Sequence, residues 1–158
     1  MKFNLAIVAV LATAAAPAFA AGDPAKGEKL FNQCQTCHTV TDADGKKLAG
    51  RGAKIGPNLY GVYGRQAGSY PDFKYGKDMV AAGEAGLIWD EAHFVEYVQN
   101  PSGFLQDYLK DPKAKGKMAF KLKDAASAED VYAYLIQFSP DAPAADGAAP
   151  AAPAAPSN

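Results

Sequence analysis

The sequence predicts an all-α domain on three observations. Apolar residues recur at helical spacing in three segments that begin at recognisable caps, no stretch alternates apolar and polar residues, and the long interval between them is dense in Gly, Pro and Asp. Asp23 is a good N-cap with Pro24 at the first helical position, after which Gly27, Leu30, Phe31 and Cys34 fall on one face. Residues 39–76 read as loops built of turns, with no sheet expected. Short helices are expected at residues 77–82 and 102–109. Between them Asp90 caps a helix through Phe94, Val95, Tyr97 and Val98 that must stop before Pro101. At the end, Ser127 followed three residues later by Asp130 resembles a capping box, and Val131, Tyr134, Leu135 and Phe138 form a stripe that Pro140 closes. Gly27 has no side chain to hold a neighbour off, so the terminal helices are expected to cross there.

Both ends of the 158-residue chain have a composition of their own. Met1-Lys2, an apolar run from Phe3 to Ala16 and Ala18-Phe19-Ala20 read as a signal peptide cleaved after Ala20. Export to an oxidising compartment follows, and the expectation is a periplasmic protein. Residues 141–158 are Ala/Pro-rich with no large apolar residue, and read as a solvated tail. Residues 21–140 therefore form one domain. Sixteen basic against 17 acidic side chains give a net charge of −1, with no sequence-wide basic footprint for nucleic acid.

Cys34-Gln35-Thr36-Cys37-His38 contains both cysteines of the chain. In an exported protein two thiols at this spacing can add to the two vinyl groups of one haem, and the adjoining imidazole then lies beneath the iron. Zinc would need two further ligands where only His93 remains. A thioredoxin-like dithiol would need a βαβ setting, and a Cys34–Cys37 disulfide would close too short a loop to stabilise much. A long irregular stretch in a small domain also makes sense if the loops pack on something other than protein.

An occupied sixth position on the iron marks an electron carrier, and a vacant one a peroxidase or gas sensor. Met79, Met118 and His93 are the side chains able to fill it. Met118 lies in an irregular stretch where Gly116 and Ala119 permit close approach to a flat cofactor. Met79 suits packing in a short helix, and His93 is expected to face solvent.

Gly27 through Phe31, Cys34 to His38, Gly56-Pro57-Asn58-Leu59, Gly64-Arg65, Trp89, Tyr97 to Pro101, Lys117-Met118-Ala119-Phe120 and Tyr134-Leu135 occur in an order that resembles class I c-type cytochromes. The likeness spans the folded unit and is greatest to the bacterial cytochrome c2 and c550 group. It implies a small fold of helices and loops wrapped around one covalently attached haem c, with His38 and Met118 as axial ligands. It further implies that the Pro57 carbonyl accepts the Nδ1 proton of His38, that Arg65, Tyr75 and Trp89 meet a haem propionate, and that Tyr97 stands beside the methionine sulfur. Without the family pattern Trp89 and Tyr97 would read as core aromatics and Arg65 as a loop residue. Two departures stand out: the stretch from Pro101 to Met118 is longer than in mitochondrial relatives, and Gly116 replaces a threonine common before Lys-Met.

The resemblance implies a monomeric one-electron shuttle from a cytochrome bc-type membrane complex to a reaction centre, an oxidase or another periplasmic acceptor. Charge placement supplies a docking face. Lys110, Lys113, Lys115, Lys117, Lys121 and Lys123 outnumber Asp107 and Asp111, while Lys46, Lys47, Arg51 and Lys54 outnumber Asp42 and Asp44.

Overall fold

The computed structural model describes residues 22–142. The expected signal segment, and the tail from residue 143 onward, lie outside the described residues. Five helices carry the fold: α1 (Pro24–Phe31), α2 (Lys77–Glu84), α3 (Glu91–Gln99), α4 (Pro101–Leu109) and α5 (Ala125–Ile136). Among the described residues no helix is long and apolar enough to cross a membrane.

The expected crossing of the terminal helices is observed. A Cβ at Gly27 would collide with the backbone carbonyl of Asp130, so α1 and α5 meet backbone to backbone, and this is the most extensive helix pairing in the fold. The seam is tied at its edge, where the Asp23 N–H donates to Asp130 Oδ1 at 2.7 Å. α5 also packs against α3, with Tyr132 on Phe94 at 5.3 Å between ring centroids. Leu87, Leu105, Val131 and Leu135 fill the core between the helices.

Caps explain most boundaries. Asp23 accepts from the N–H groups of Ala25 and Lys26, and Asp90 from that of His93 at 2.8 Å. Pro101 stands at the start of α4, where its missing N–H leaves no donor unpaired. The capping box expected at Ser127 needs correction. α5 begins at Ala125, Asp124 is the N-cap accepting from the Ser127 N–H at 2.8 Å, and Asp130 serves the α1 seam instead. The first stripe also ends early as a helix: α1 stops at Phe31 and the chain continues to Cys37 as hydrogen-bonded turns.

The expectation of no sheet is overturned on a small scale. β1 (Thr39–Thr41) pairs antiparallel with β2 (Lys47–Gly50), Val40 facing Ala49, with an irregularity between Val40 and Thr41. Strands of three and four residues are too short to show alternation, and the pairing is imposed by the turn between them. Asp42 accepts from the N–H groups of Asp44 and Lys46, and Gly45 takes φ +81°. Val40, fully buried, anchors this hairpin on the core.

Candidate functional site

The turns after α1 present three side chains in five residues. Cys37 N–H and His38 N–H both donate to the Cys34 carbonyl, at 3.0 and 2.9 Å, which draws the two cysteines onto one tight coil. Neither thiol is in a disulfide, and both are half-buried. Burial, with a smaller contribution from Cys37, pushes the Cys34 thiol up to about 11, so it stays protonated at neutral pH.

His38 is fixed from the opposite loop. Its Nδ1 lies 2.8 Å from the Pro57 carbonyl, an acceptor only, so Nδ1 bears the proton and Nε2 keeps a bare lone pair. Burial lowers the imidazole pKa more than this hydrogen bond raises it, which favours the neutral ring. Gly56 N–H donates to the Cys37 carbonyl at 2.8 Å, and a Cβ on Gly56 would lie 2.7 Å from Nδ1 and 2.8 Å from Nε2. The ring therefore rests on a position where only glycine fits.

A second group gathers beyond Pro57. Asn58 clamps Thr41 through both N–H and carbonyl, and also bonds the Tyr60 N–H and the Tyr70 hydroxyl. The Arg65 guanidinium donates to the Tyr60 and Asn58 carbonyls at 2.9 and 3.1 Å and lies over the Tyr70 ring. Arg65 is half-buried and pairs with no carboxylate among the described residues; burial lowers its pKa, partly offset by Tyr75 and Tyr70. Burial raises the Tyr75 hydroxyl, which Arg65 opposes, and pushes Tyr97 up to about 12, with Tyr75 adding to it. The Tyr97 ring in turn packs on Trp89 at 5.0 Å. Backbone bonds from Trp89 N–H to the Arg65 carbonyl, and from Gly64 N–H to the Trp89 carbonyl, hold these two segments together.

Cys34, Cys37, His38 and Pro57 thus form one group, and Arg65, Tyr75, Trp89 and Tyr97 another, joined where Asn58 follows Pro57. Met118 arrives on a separate irregular segment, half-buried against the core, and no hydrogen bond joins it to either group. Met79 packs in the core at 7% exposure, as its reading as a structural residue requires. His93 is packed rather than fully solvent-facing. Its Nδ1 lies 3.1 Å from the Ile88 carbonyl and 3.0 Å from an Asp90 carboxylate oxygen, and its ring edge meets Phe104 and Tyr108.

No protein-family model matches the chain. Individual proteins do. It is 59% identical over 140 residues to cytochrome c2 of Cereibacter sphaeroides, covering 87% of this chain and 97% of that one. It is 52% identical over 139 residues to cytochrome c-551 of Roseobacter denitrificans, covering 88% and 97%. The solved structure of cytochrome c2 from Rhodobacter sphaeroides superposes with a TM-score of 0.74 at 59% identity, over 75% of this chain and 98% of that one. The chain belongs to the cytochrome c2 group of class I c-type cytochromes. It is an electron-transfer protein, not an enzyme, and its cofactor is one covalently attached haem c.

The residues present fit that cofactor. Two unpaired thiols at attachment spacing, an imidazole with a free Nε2 and a half-buried thioether are groups able to attach a haem and to ligate its iron. A half-buried guanidinium that meets no carboxylate among the described residues suits an anionic group of that cofactor. Three contributors escaped the sequence reading: Gly56 as the floor under His38, Asn58 as the clamp between loops, and Tyr70 under Arg65. Only Gly56-Pro57-Asn58 gave a signal, because that motif follows the family pattern; a tyrosine in a loop gives none.

Proposed function

We propose that this cytochrome c2 relative is a soluble periplasmic monomer that carries single electrons from a cytochrome bc-type membrane complex to a photosynthetic reaction centre, a terminal oxidase or another periplasmic acceptor. Haem, when bound, supplies the one-electron iron couple. Cys34 and Cys37 would hold it by thioethers, His38 Nε2 and the Met118 sulfur would ligate the iron, Arg65, Tyr75 and Trp89 would meet a propionate, and Tyr97 would stand beside the sulfur. The single observation that supports this most is the seating of His38, pinned through Nδ1 to Pro57 and laid on Gly56, which leaves Nε2 as its only available donor. A thioether ligand and an apolar wall both favour the lower charge of the reduced state, so the couple belongs on the positive side of the range that axial ligation spans. Anchoring of His38 between the Pro57 carbonyl and Gly56 limits reorganisation on that side of the site, which suits a carrier.

Placement of charge supports the partner reading. The ten cations at Lys46, Lys47, Arg51, Lys54, Lys110, Lys113, Lys115, Lys117, Lys121 and Lys123 are all exposed, and none is held in an ion pair among the described residues. Such a surface fits acidic patches on membrane redox complexes.

The test is an absorption spectrum of the purified protein in both oxidation states. The ferric form is expected to show the weak long-wavelength sulfur-to-iron band, and Met118→Ala to abolish it while leaving the haem covalently bound. A wild-type protein that lacks the band, or that binds carbon monoxide readily when reduced, would overturn the reading.

A further inference from the structure

The segment bearing Met118 has little support of its own. Among the described residues no backbone hydrogen bond involves residues 117–121, and the next one downstream runs from Leu122 N–H to the Val98 carbonyl at 2.9 Å. Upstream, three consecutive residues are fastened to three different parts of the fold. Lys115 N–H donates to Asp78 Oδ2 at the start of α2 at 2.9 Å, and Gly116 N–H donates to Ser102 Oγ in the first turn of α4 at 3.1 Å. Lys117 crosses over Gly76 with its aliphatic stem and donates from Nζ to the Lys74 carbonyl at 2.9 Å. Gly116 is also seated closely, since a Cβ there would lie 3.0 Å from Pro101 Cβ and 3.2 Å from the Pro101 carbonyl carbon.

We infer that Asp78 and Ser102 are positioning residues for the axial methionine, holding the Met118 segment shut by side-chain bonds to the backbone of Lys115 and Gly116. The inference rests on Met118 being the sixth ligand. Neither residue touches the iron site. Each shifts the balance between a seated and a detached methionine, because the suspended segment has no ladder bonds to resist opening once an anchor is lost.

Imidazole binding to the ferric holoprotein at fixed pH reads that balance, since added imidazole can enter only when the methionine leaves. The wild-type long-wavelength band and its loss in Met118→Ala are recorded first, so a failed ligand assignment is recognised before the anchors are judged. Ser102→Ala is expected to raise imidazole affinity about 5-fold, the equivalent of one net hydrogen bond of about 1 kcal/mol. Asp78→Ala, which removes a charged acceptor, is expected to raise it about 10-fold or more. Ser102→Thr, which keeps the hydroxyl, should return the affinity to that of the wild type. Asp130→Ala, which loosens the distant α1–α5 seam, should leave it unchanged. Wild-type affinity in both alanine variants at positions 78 and 102 would overturn the inference. So would a Ser102→Thr protein indistinguishable from Ser102→Ala, or an equal rise in Asp130→Ala.

Discussion

A methyl group at position 56 would enter the space of the His38 ring, with both ring nitrogens inside 3 Å of it. Gly56→Ala must therefore tilt the imidazole off the Pro57 carbonyl or push the loop away from Cys37. Overpacking of this kind costs about 1–3 kcal/mol, and denaturant unfolding of the holoprotein is expected to show a loss in that range together with a weakened long-wavelength band. Unchanged stability would mean the loop yields freely, against its bond to the Cys37 carbonyl. At this scale the site was legible in proportion to how contiguous it is. Cys34, Cys37 and His38 announce their chemistry within five residues, because attachment geometry demands that spacing. Arg65, Tyr75, Trp89 and Tyr97 are spread over 33 positions of chain, and each has an ordinary reading of its own. Only the family pattern singled them out, and only folding brings Tyr75 to Arg65 and Trp89 onto Tyr97. Ser102 gave no signal at all, since a serine early in a helix has many uses.

The start of α1 carries a pH dependence with a definite sign. Hydrogen bonds from the Lys26 and Ala25 N–H groups, with the Lys26 charge nearby, outweigh desolvation and hold the Asp23 carboxyl below its ordinary range. A carboxyl whose folded pKa is depressed stabilises the fold above its unfolded value, and that contribution disappears as pH falls through the folded pKa. Unfolding followed from neutral pH down through the carboxylate range should therefore show a loss of stability in wild type that Asp23→Asn reduces, because asparagine caps equally well without titrating. Identical acid profiles would place the acid sensitivity elsewhere. The helices were legible because period and cap agree at Asp23 and at Asp90. The start of α5 was misread because Ser127 and Asp130 match a capping box by spacing, yet Asp124 outcompetes Ser127 as the cap and Asp130 is recruited by the Asp23 N–H 107 positions away. A contact at that separation leaves no local trace. The β1–β2 hairpin was missed for the converse reason: its information lies in the Asp42–Gly45 turn rather than in its strands.

Over the whole molecule the net charge of −1 conceals two stretches of chain in which cations outnumber anions. Ten exposed cations lie in two stretches, and the only secured ammonium groups among them are those of Lys117, on the Lys74 carbonyl, and Lys121, on Asn100 Oδ1 at 2.6 Å. Replacing Lys110, Lys113, Lys115 and Lys123 by glutamate should slow electron exchange with an isolated cytochrome bc-type complex by about 10-fold or more at low ionic strength. The variant and wild-type rates should converge at high salt, where the screening length contracts to about 3 Å. Stopped-flow rates that stay equal at every salt concentration would put the docking face elsewhere.

The backbone contact between Gly27 and Asp130 also sets an order of events during synthesis. Cys34 and Cys37 leave the ribosome soon after Gly27, whereas the helix that must lie on Gly27 follows every other described helix in the chain. Closure therefore waits for α5, leaving an interval in which the two sulfurs are open to chemistry that the folded protein shelters.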